Sequence, residues 1–212
     1  MRSPFAERET ERLVALMLPD VAFDGWTRHA LREAARRADI PVGEAMALFP
    51  RGAPDLIAAF SRSADRQMLE GLAAAAIEGL SLSQRIALAL RLRFAVLAPW
   101  REAVRRGLSV LAMPQNTALG LRLLYDTVDA IWHGVGDAST DFSFYTKRAT
   151  LAGIHAAAML YWLDDRSPEG ADTEAFIDRR LADLHRLTGL RTRLASAAER
   201  LPNPFRLLRP SR

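Results

Sequence analysis

Residues 121–136 read LRLLYDTVDAIWHGVG, and residues 137–163 read DASTDFSFYTKRATLAGIHAAAMLYWL. In the first stretch Leu121, Leu124, Val128, Ile131 and Val135 recur every three or four positions. That spacing gathers apolar side chains on one stripe of an α-helix. Gly134 and Gly136 are placed to end the helix, because glycine enters the left-handed conformation of a helix stop without a Cβ penalty. A further helix is expected from Ser139 or Thr140, with Asp141 in the first turn, where a carboxylate meets the positive end of the helix dipole. Its stripe is Phe142, Tyr145, Ala149, Gly153, Ala156, Leu160 and Leu163. Neither stretch alternates with the period of two that a half-buried strand requires, so both read as helices.

The same periodicity runs through the rest of the chain, punctuated by Gly and Pro. A first helix is expected over 5–18, ended by Pro19, a second over 26–38, and a short third after Pro41 up to Phe49-Pro50. A fourth spans 54–78 and stops at Gly79; Ser81 or Ser83 caps a fifth that reaches Leu97. Pro99 suits the first turn of a sixth, to about Val110, and Pro114 to Ala118 form a turn. Helices over 173–187 and 190–201 follow. The predicted fold is all-α, a bundle of about ten helices with no sheet. Residues 1–189 form a single helical domain, with a three-helix subregion at 5–60 and a ligand-binding type of bundle at 61–189. Residues 190–212 are expected to form a basic amphipathic helix and tail.

Half of the 212 residues are apolar and a quarter are charged, which is ordinary globular usage. Cysteine is absent, which excludes disulfides, thiolate nucleophiles, iron–sulfur clusters and cysteine zinc sites. The net charge of +4 is uneven: residues 191–212 carry six arginines against Glu199, so the body is close to neutral. The apolar run from Leu151 to Leu163 is too short for a membrane span and is interrupted by His155. The opening MRSPFAERETER lacks a hydrophobic core region and carries Glu7, Glu9 and Glu11, unlike a secretory signal or an acid-poor transit peptide. The expected location is the cytoplasm, peripherally associated with the inner membrane of a bacterium.

No catalytic constellation emerges. The residues three positions before His29, His133, His155 and His185 are Trp26, Ala130, Ala152 and Ala182, so the Glu-x-x-His pairs of a helical di-iron site are missing. No His-x-x-x-His pair is present for zinc, and the histidines read as scattered surface or satisfied core residues. Ser139, Asp141 and His155 lack a Gly-x-Ser-x-Gly elbow, and a serine and an aspartate at a helix start are explained by capping. Lys147 could act as a Schiff-base amine, but a solvated or ion-paired helix lysine is the commoner case. The sequence therefore predicts no enzyme, no catalytic residue, no cofactor and no metal.

Residues 5–60 resemble the DNA-binding lobe of TetR-type regulators in their helix lengths, in AARRADIPVGEAMALFP and in the Asp55-Leu56-Ile57 helix start. In that family the helix Val42–Leu48 would enter the major groove. Binding to phosphates needs a surplus of positive charge. Here Arg28, Arg32, Arg36, Arg37 and Arg51 are balanced by Asp20, Asp24, Glu33, Asp39 and Glu44, and the short helix offers no basic or amide side chain to base edges. No nucleic-acid partner is expected, and a ligand-responsive DNA-binding regulator is the alternative reading.

The segment from Asp126 to Leu163 resembles the hallmark region of the ubiquinone-biosynthesis accessory proteins that partner the di-iron demethoxyubiquinone hydroxylase. The matching pieces are Asp129-x-Ile131-Trp132, Gly136-Asp137, Ser139-Thr140-Asp141-Phe142 and Tyr145-Thr146-Lys147-Arg148-Ala149. Asp165-x-Ser167-Pro168, Phe176-Ile177-Asp178-Arg179-Arg180, Gly25-Trp26 and Leu48-Phe49-Pro50-Arg51-Gly52 also fit. The likeness covers about residues 5–190. It departs at Ser143-Phe144, where the family commonly has Asn-Trp, and at His133, where an aromatic is common.

The resemblance implies a TetR-like fold, no enzymatic activity, an apolar lipid cavity and a protein partner that performs the chemistry. The expected function is to bind an isoprenoid quinone precursor, or a related lipid, and present it to the hydroxylase. Leu124, Val128, Ile131, Leu151, Ile154, Ala158 and Phe176 are expected to line or border the cavity. Trp132, Asp137, Phe144, Tyr145 and Arg148 are expected to form the partner surface. On the last helix Leu190, Leu194, Ala197, Ala198 and Leu201 share one face, flanked by Arg191, Arg193 and Arg200, a pattern that can lie on a membrane surface. The partners expected are therefore the lipid, the hydroxylase and a membrane surface, with a homodimer compatible with the sequence.

Overall fold

The structure is a computed structural model and describes residues 4–136 and 142–183. Nine α-helices and no strand occur among the described residues. The helix expected over 190–201 and the helix start expected at Ser139 or Thr140 lie outside them.

Helix α1 (Pro4–Asp24) buries Leu13, Val14, Met17, Leu18 and Val21, one stripe at helical spacing. It continues through Pro19, where a stop was expected. Pro19 is exposed, and so is Ala15, the residue whose carbonyl the proline leaves without an amide donor. Water can take that carbonyl, which removes part of the usual penalty. The stop comes at Gly25, with φ of 70°, whose N–H donates to the Val21 carbonyl at 3.0 Å. Thr27 caps α2 (Arg28–Ala38) by accepting from the Ala30 N–H, and the small face Ala30, Leu31, Ala34, Ala35 and Ala38 lets α2 approach α1 closely. The short α3 (Val42–Leu48) follows, and Phe49 behind it is fully buried.

Gly52 opens α4 (Ala53–Ala74), and the Asp55 carboxylate accepts from the Arg51 backbone N–H at 2.8 Å and from its guanidinium at 2.6 Å. The helix ends four residues short of Glu78; the Leu80 N–H closes the following turn on the Ile77 carbonyl. Ser81 and Gln84 then cap each other's backbone N–H groups at the start of α5 (Leu82–Leu97), a reciprocal capping box. A 3₁₀ turn, Ala98–Trp100, leads into α6 (Arg101–Leu111), and another, Pro114–Asn116, into α7 (Thr117–Gly134). Helix α8 (Phe142–Asp164) and α9 (171–183) complete the described chain.

One buried apolar cluster extends from Leu13 in α1 to Leu181 in α9. At its centre α4 lies between α5 and α7, and α7 packs on α8. A Cβ at Gly134 would come within 2.7 Å of a Leu69 methyl and 3.0 Å of a Leu72 methyl, so glycine permits the closest approach of α7 to α4. The Arg148 Nε donates to Asp129 at 2.8 Å and draws α8 onto α7. Between α8 and α9, Asp165 accepts from the backbone and side chain of both Ser167 and Thr173. Burial pushes its carboxyl up, but those four donors together outweigh it and hold the group at about 2.

A charged pair sits inside this apolar frame. Arg93 of α5 donates from Nε to Asp65 of α4 at 2.8 Å and from Nη2 to Ser61 and Thr127, each at 3.2 Å. The Thr127 hydroxyl of α7 donates in turn to Asp65 at 2.9 Å. Removing one partner strands the other charge in a low-dielectric interior, which typically costs about 3–5 kcal/mol. Asp65→Ala is therefore expected to lose stability on that scale in urea unfolding, and Asp65→Leu combined with Arg93→Met to lose distinctly less. An Asp65→Ala variant as stable as the parent would show that the pair does not organise the helices.

Candidate functional site

A cavity of about 440 Å³ lies between α4, α6, α7 and α8. Its walls are almost entirely apolar: Trp26, Ile57 and Phe60 on one side, Val104, Leu108 and Leu111 on the next, and Leu123, Leu124 and Met159 on the third. Such a volume and lining suit a small apolar or amphipathic ligand. Gly107, Gly120 and Ala156 also line the wall; a Cβ at Gly107 would come within 3.3 Å of the Trp26 indole nitrogen, and one at Gly120 within 3.5 Å of Leu111. Trp26 holds the α1–α2 junction against the wall: its indole N–H donates to the Ala103 carbonyl at 2.9 Å, and its ring lies 5.4 Å from that of Phe60.

The two ends of the cavity differ. Leu121 of α7 and Leu160 of α8 line it while being 64% and 65% exposed, so they mark the mouth. Thr127, six residues along α7, and His155, five residues back along α8, line it and are buried. At 1.5 Å of rise per residue the inner end is roughly 8–9 Å deeper than the mouth. Arg93 and Ser61 also reach this inner end, which places the buried ion pair behind the cavity.

His155 is 4% exposed, and its buried Nδ1 has no hydrogen-bond partner. The expected satisfied core histidine is thus corrected: the ring is in the core, but one nitrogen is left over, typically at a cost of about 1–3 kcal/mol. Burial, and secondarily the positive charge of Arg93, hold the imidazole down at about 3, so it is neutral at physiological pH. His29 and His133 are exposed, and His133 Nδ1 lies 2.9 Å from the Asp129 carbonyl. His185 lies outside the described residues. Among these residues no group of three His, Cys, Asp or Glu is placed to hold a metal, and no helix is long and apolar enough to cross a membrane.

Of the seven residues expected around a pocket, Leu124 is on the cavity wall. Val128, Ile131, Leu151, Ile154 and Ala158 are placed elsewhere, in the solid core, and Phe176 is half-buried with its ring stacked on Tyr161 at 4.8 Å. Their spacing marked a buried stripe correctly, but burial against side chains and burial against a void have the same period. The walls contributed by α4 and α6 carried no signal beyond ordinary apolar spacing. The partner surface also needs correction. Trp132 is 5% exposed, one position beyond Ile131 on the inward face of α7, and Arg148 is buried because Asp129 draws it inward. Asp137 and the side chains of Phe144 and Tyr145 lie outside the described residues. So do Leu190, Arg191, Arg193, Leu194, Arg200 and Leu201.

Residues 117–188 match the COQ9 family. The rat protein named "Ubiquinone biosynthesis protein COQ9, mitochondrial" is 33% identical over 204 residues, which cover 92% of this chain and 64% of the rat protein. Xenopus laevis COQ9-B is 32% identical, with 91% of this chain and 68% of that protein covered. Human COQ9 is 31% identical, with 92% and 63% covered. The chain therefore spans slightly under two thirds of the rat and human proteins. A crystal structure of a TetR transcriptional regulator from Nitrosomonas europaea superposes with a TM-score of 0.67 at 22% identity, covering 82% of this chain and 97% of that one. At that identity it bears on the fold alone, which it shows to be TetR-like. The expected cytoplasmic location at a bacterial inner membrane is overturned: the rat, Xenopus and human relatives are named as mitochondrial proteins of eukaryotes.

The neutral state of His155 makes stability depend on pH. Its folded value lies below the unfolded one of 6.5, so the unfolded chain binds the proton more readily. Stability from this group is complete above pH 6.5 and falls as the solution is acidified toward 3, at about 1 kcal/mol per pH unit. His155→Phe should flatten the slope of urea-unfolding free energy between pH 6.5 and 4.5. The contribution of Asp165, whose folded value is depressed from 3.8 to about 2, is lost only below that window. An unchanged slope in His155→Phe would show that the imidazole is not held neutral.

Proposed function

This chain belongs to the COQ9 family, and on that footing we propose that it acts in ubiquinone biosynthesis as a non-enzymatic binding protein. It holds an isoprenoid quinone precursor in the cavity between α4 and α8 and presents it to the demethoxyubiquinone hydroxylase. The observation that carries this reading is the apolar cavity with an exposed apolar mouth at Leu121 and Leu160. A prenyl chain forms few hydrogen bonds and gains from leaving water, which is what such walls provide.

The polar groups on the wall support binding rather than turnover. Ser61 and Thr127 are engaged with Arg93 and Asp65, and Arg93 is neutralised by Asp65. His155 has no carboxylate to orient it and no hydroxyl in hydrogen-bond reach at Nδ1, the arrangement an acid–base pair would need. A DNA-binding reading gains nothing from the N-terminal helices. Arg36, Arg37 and Arg51 are paired with Glu33, Asp20 and Asp55, and the exposed residues of α3 are Gly43, Glu44 and Ala47.

Ala156 tests the cavity directly, because it lines the wall, whereas Ala158 is packed in the core. Ala156→Trp should reduce severalfold the isoprenoid lipid recovered by solvent extraction and mass spectrometry, with the melting temperature little changed. An indole forced into a filled core would instead destabilise by about 1–3 kcal/mol. Unchanged lipid recovery together with lowered stability would contradict the cavity as the lipid site.

A further inference from the structure

The inner end of the cavity is polar where nothing in an isoprenoid tail requires it. Four polar side chains from four helices converge there: Ser61 from α4, Arg93 from α5, Thr127 from α7 and His155 from α8. Ser61 and Thr127 each accept from Arg93, and Arg93 and Thr127 donate to Asp65; these bonds engage Arg93 through Nε and Nη2, none of them through Nη1. His155 belongs to the same wall, has an unpartnered Nδ1 and is buried to 4% exposure. A buried nitrogen without a partner calls for a specific explanation, and the ring that carries it lines the inner end of the cavity.

We propose that this inner end is a seat for a neutral oxygen, a hydroxyl or carbonyl, on the leading end of an apolar ligand, with His155 and Arg93 as the residues that select for it. The inference rests on the cavity being the lipid site. A neutral imidazole offers one donor and one acceptor nitrogen, so it can serve a hydroxyl or a carbonyl. The charge balance argues against an anion. The Arg93 guanidinium already faces the Asp65 carboxylate at 2.8 Å, and a phosphate or carboxylate brought to the seat would meet that negative charge in a low-dielectric pocket. The mouth lies at the opposite end, among Leu121 and Leu160. An amphipathic lipid therefore enters oxygen first and leaves its remaining tail toward the mouth, and hand-over follows withdrawal of the oxygen from the seat.

The test uses the full chain, stripped of lipid, and three probes with the same carbon skeleton: farnesol, farnesene and farnesyl phosphate. Competition against an environment-sensitive fluorophore gives each affinity. The parent chain should prefer farnesol over farnesene by about tenfold, the equivalent of one good hydrogen bond at ~1.4 kcal/mol, and should bind farnesyl phosphate no better than farnesol. His155→Phe, which keeps an aromatic ring beside Phe94, should bring farnesol and farnesene to equal affinity, and His155→Gln should restore part of the preference. Equal binding of farnesol and farnesene by the parent overturns the seat while leaving the lipid site intact, whatever the variants do. A preference that survives in His155→Phe, or one for the phosphate, overturns it too. Failure of all three probes to bind the folded parent removes the cavity reading itself.

Discussion

The Asp65–Arg93 pair is the constraint around which the helices are arranged. An ion pair inside an apolar frame is tolerated only when its remaining hydrogen-bonding capacity is met. Here Thr127 and Ser61 meet much of it, so α4, α5 and α7 have to present four particular side chains to one point. Apolar packing alone would accept several rotations of these helices about their axes. The ion pair accepts few, because a rotation that moves Thr127 off Asp65 leaves a carboxylate less well solvated. The residues that define the inner end of the cavity are thus the ones whose placement the fold can least vary.

Helix α7 shows how a solid core and a void arise from one amphipathic element. Val128 and Ile131 are fully buried against neighbouring side chains, while Leu121, Leu124 and Thr127 turn toward the cavity. Gly134 brings the C-terminal end of the helix tight against α4 at Leu69 and Leu72. Toward its other end, Gly120 packs near Leu111 of α6, and the cavity opens between α7 and Ala156 of α8. The helices therefore converge at one end and stand apart at the other. An apolar void of this kind forfeits dispersion contacts along its lining, and an apolar occupant would restore them.

Among the described residues, helix order and many helix ends were legible in the sequence because they are set locally. Ser81, Gly136 and the Pro114 turn are short-range signals that need no knowledge of neighbours. Pro19 misled because its penalty depends on whether water reaches the carbonyl four residues back, and that is a tertiary fact. The cavity was only partly legible for a related reason. Periodicity identifies an inward face but not what lies opposite it, so Val128 and Leu124 looked alike until α6 was in place. Trp132 and Arg148 were assigned to the partner surface through the resemblance, which does not say which way a side chain turns. The burial of Arg148 follows from Asp129, whose distance from it could not be known in advance. His155 was visible only as an interruption in an apolar run, and what makes it unusual is an absent partner.

Trp26 belongs to two structures at once. It joins α1 to α2 at the edge of the N-terminal three-helix group, and its ring forms part of the cavity wall, held there by the Ala103 carbonyl of α6. A molecule in the cavity that touches the indole also touches the attachment of that group to the bundle. Linkage then works in both directions: an occupant that binds only while the indole is docked raises the free energy needed to peel α1–α3 away, and loosening that attachment raises the rate at which the occupant escapes. One tryptophan would thus act as a latch, tying the cohesion of the two halves to whatever fills the cavity.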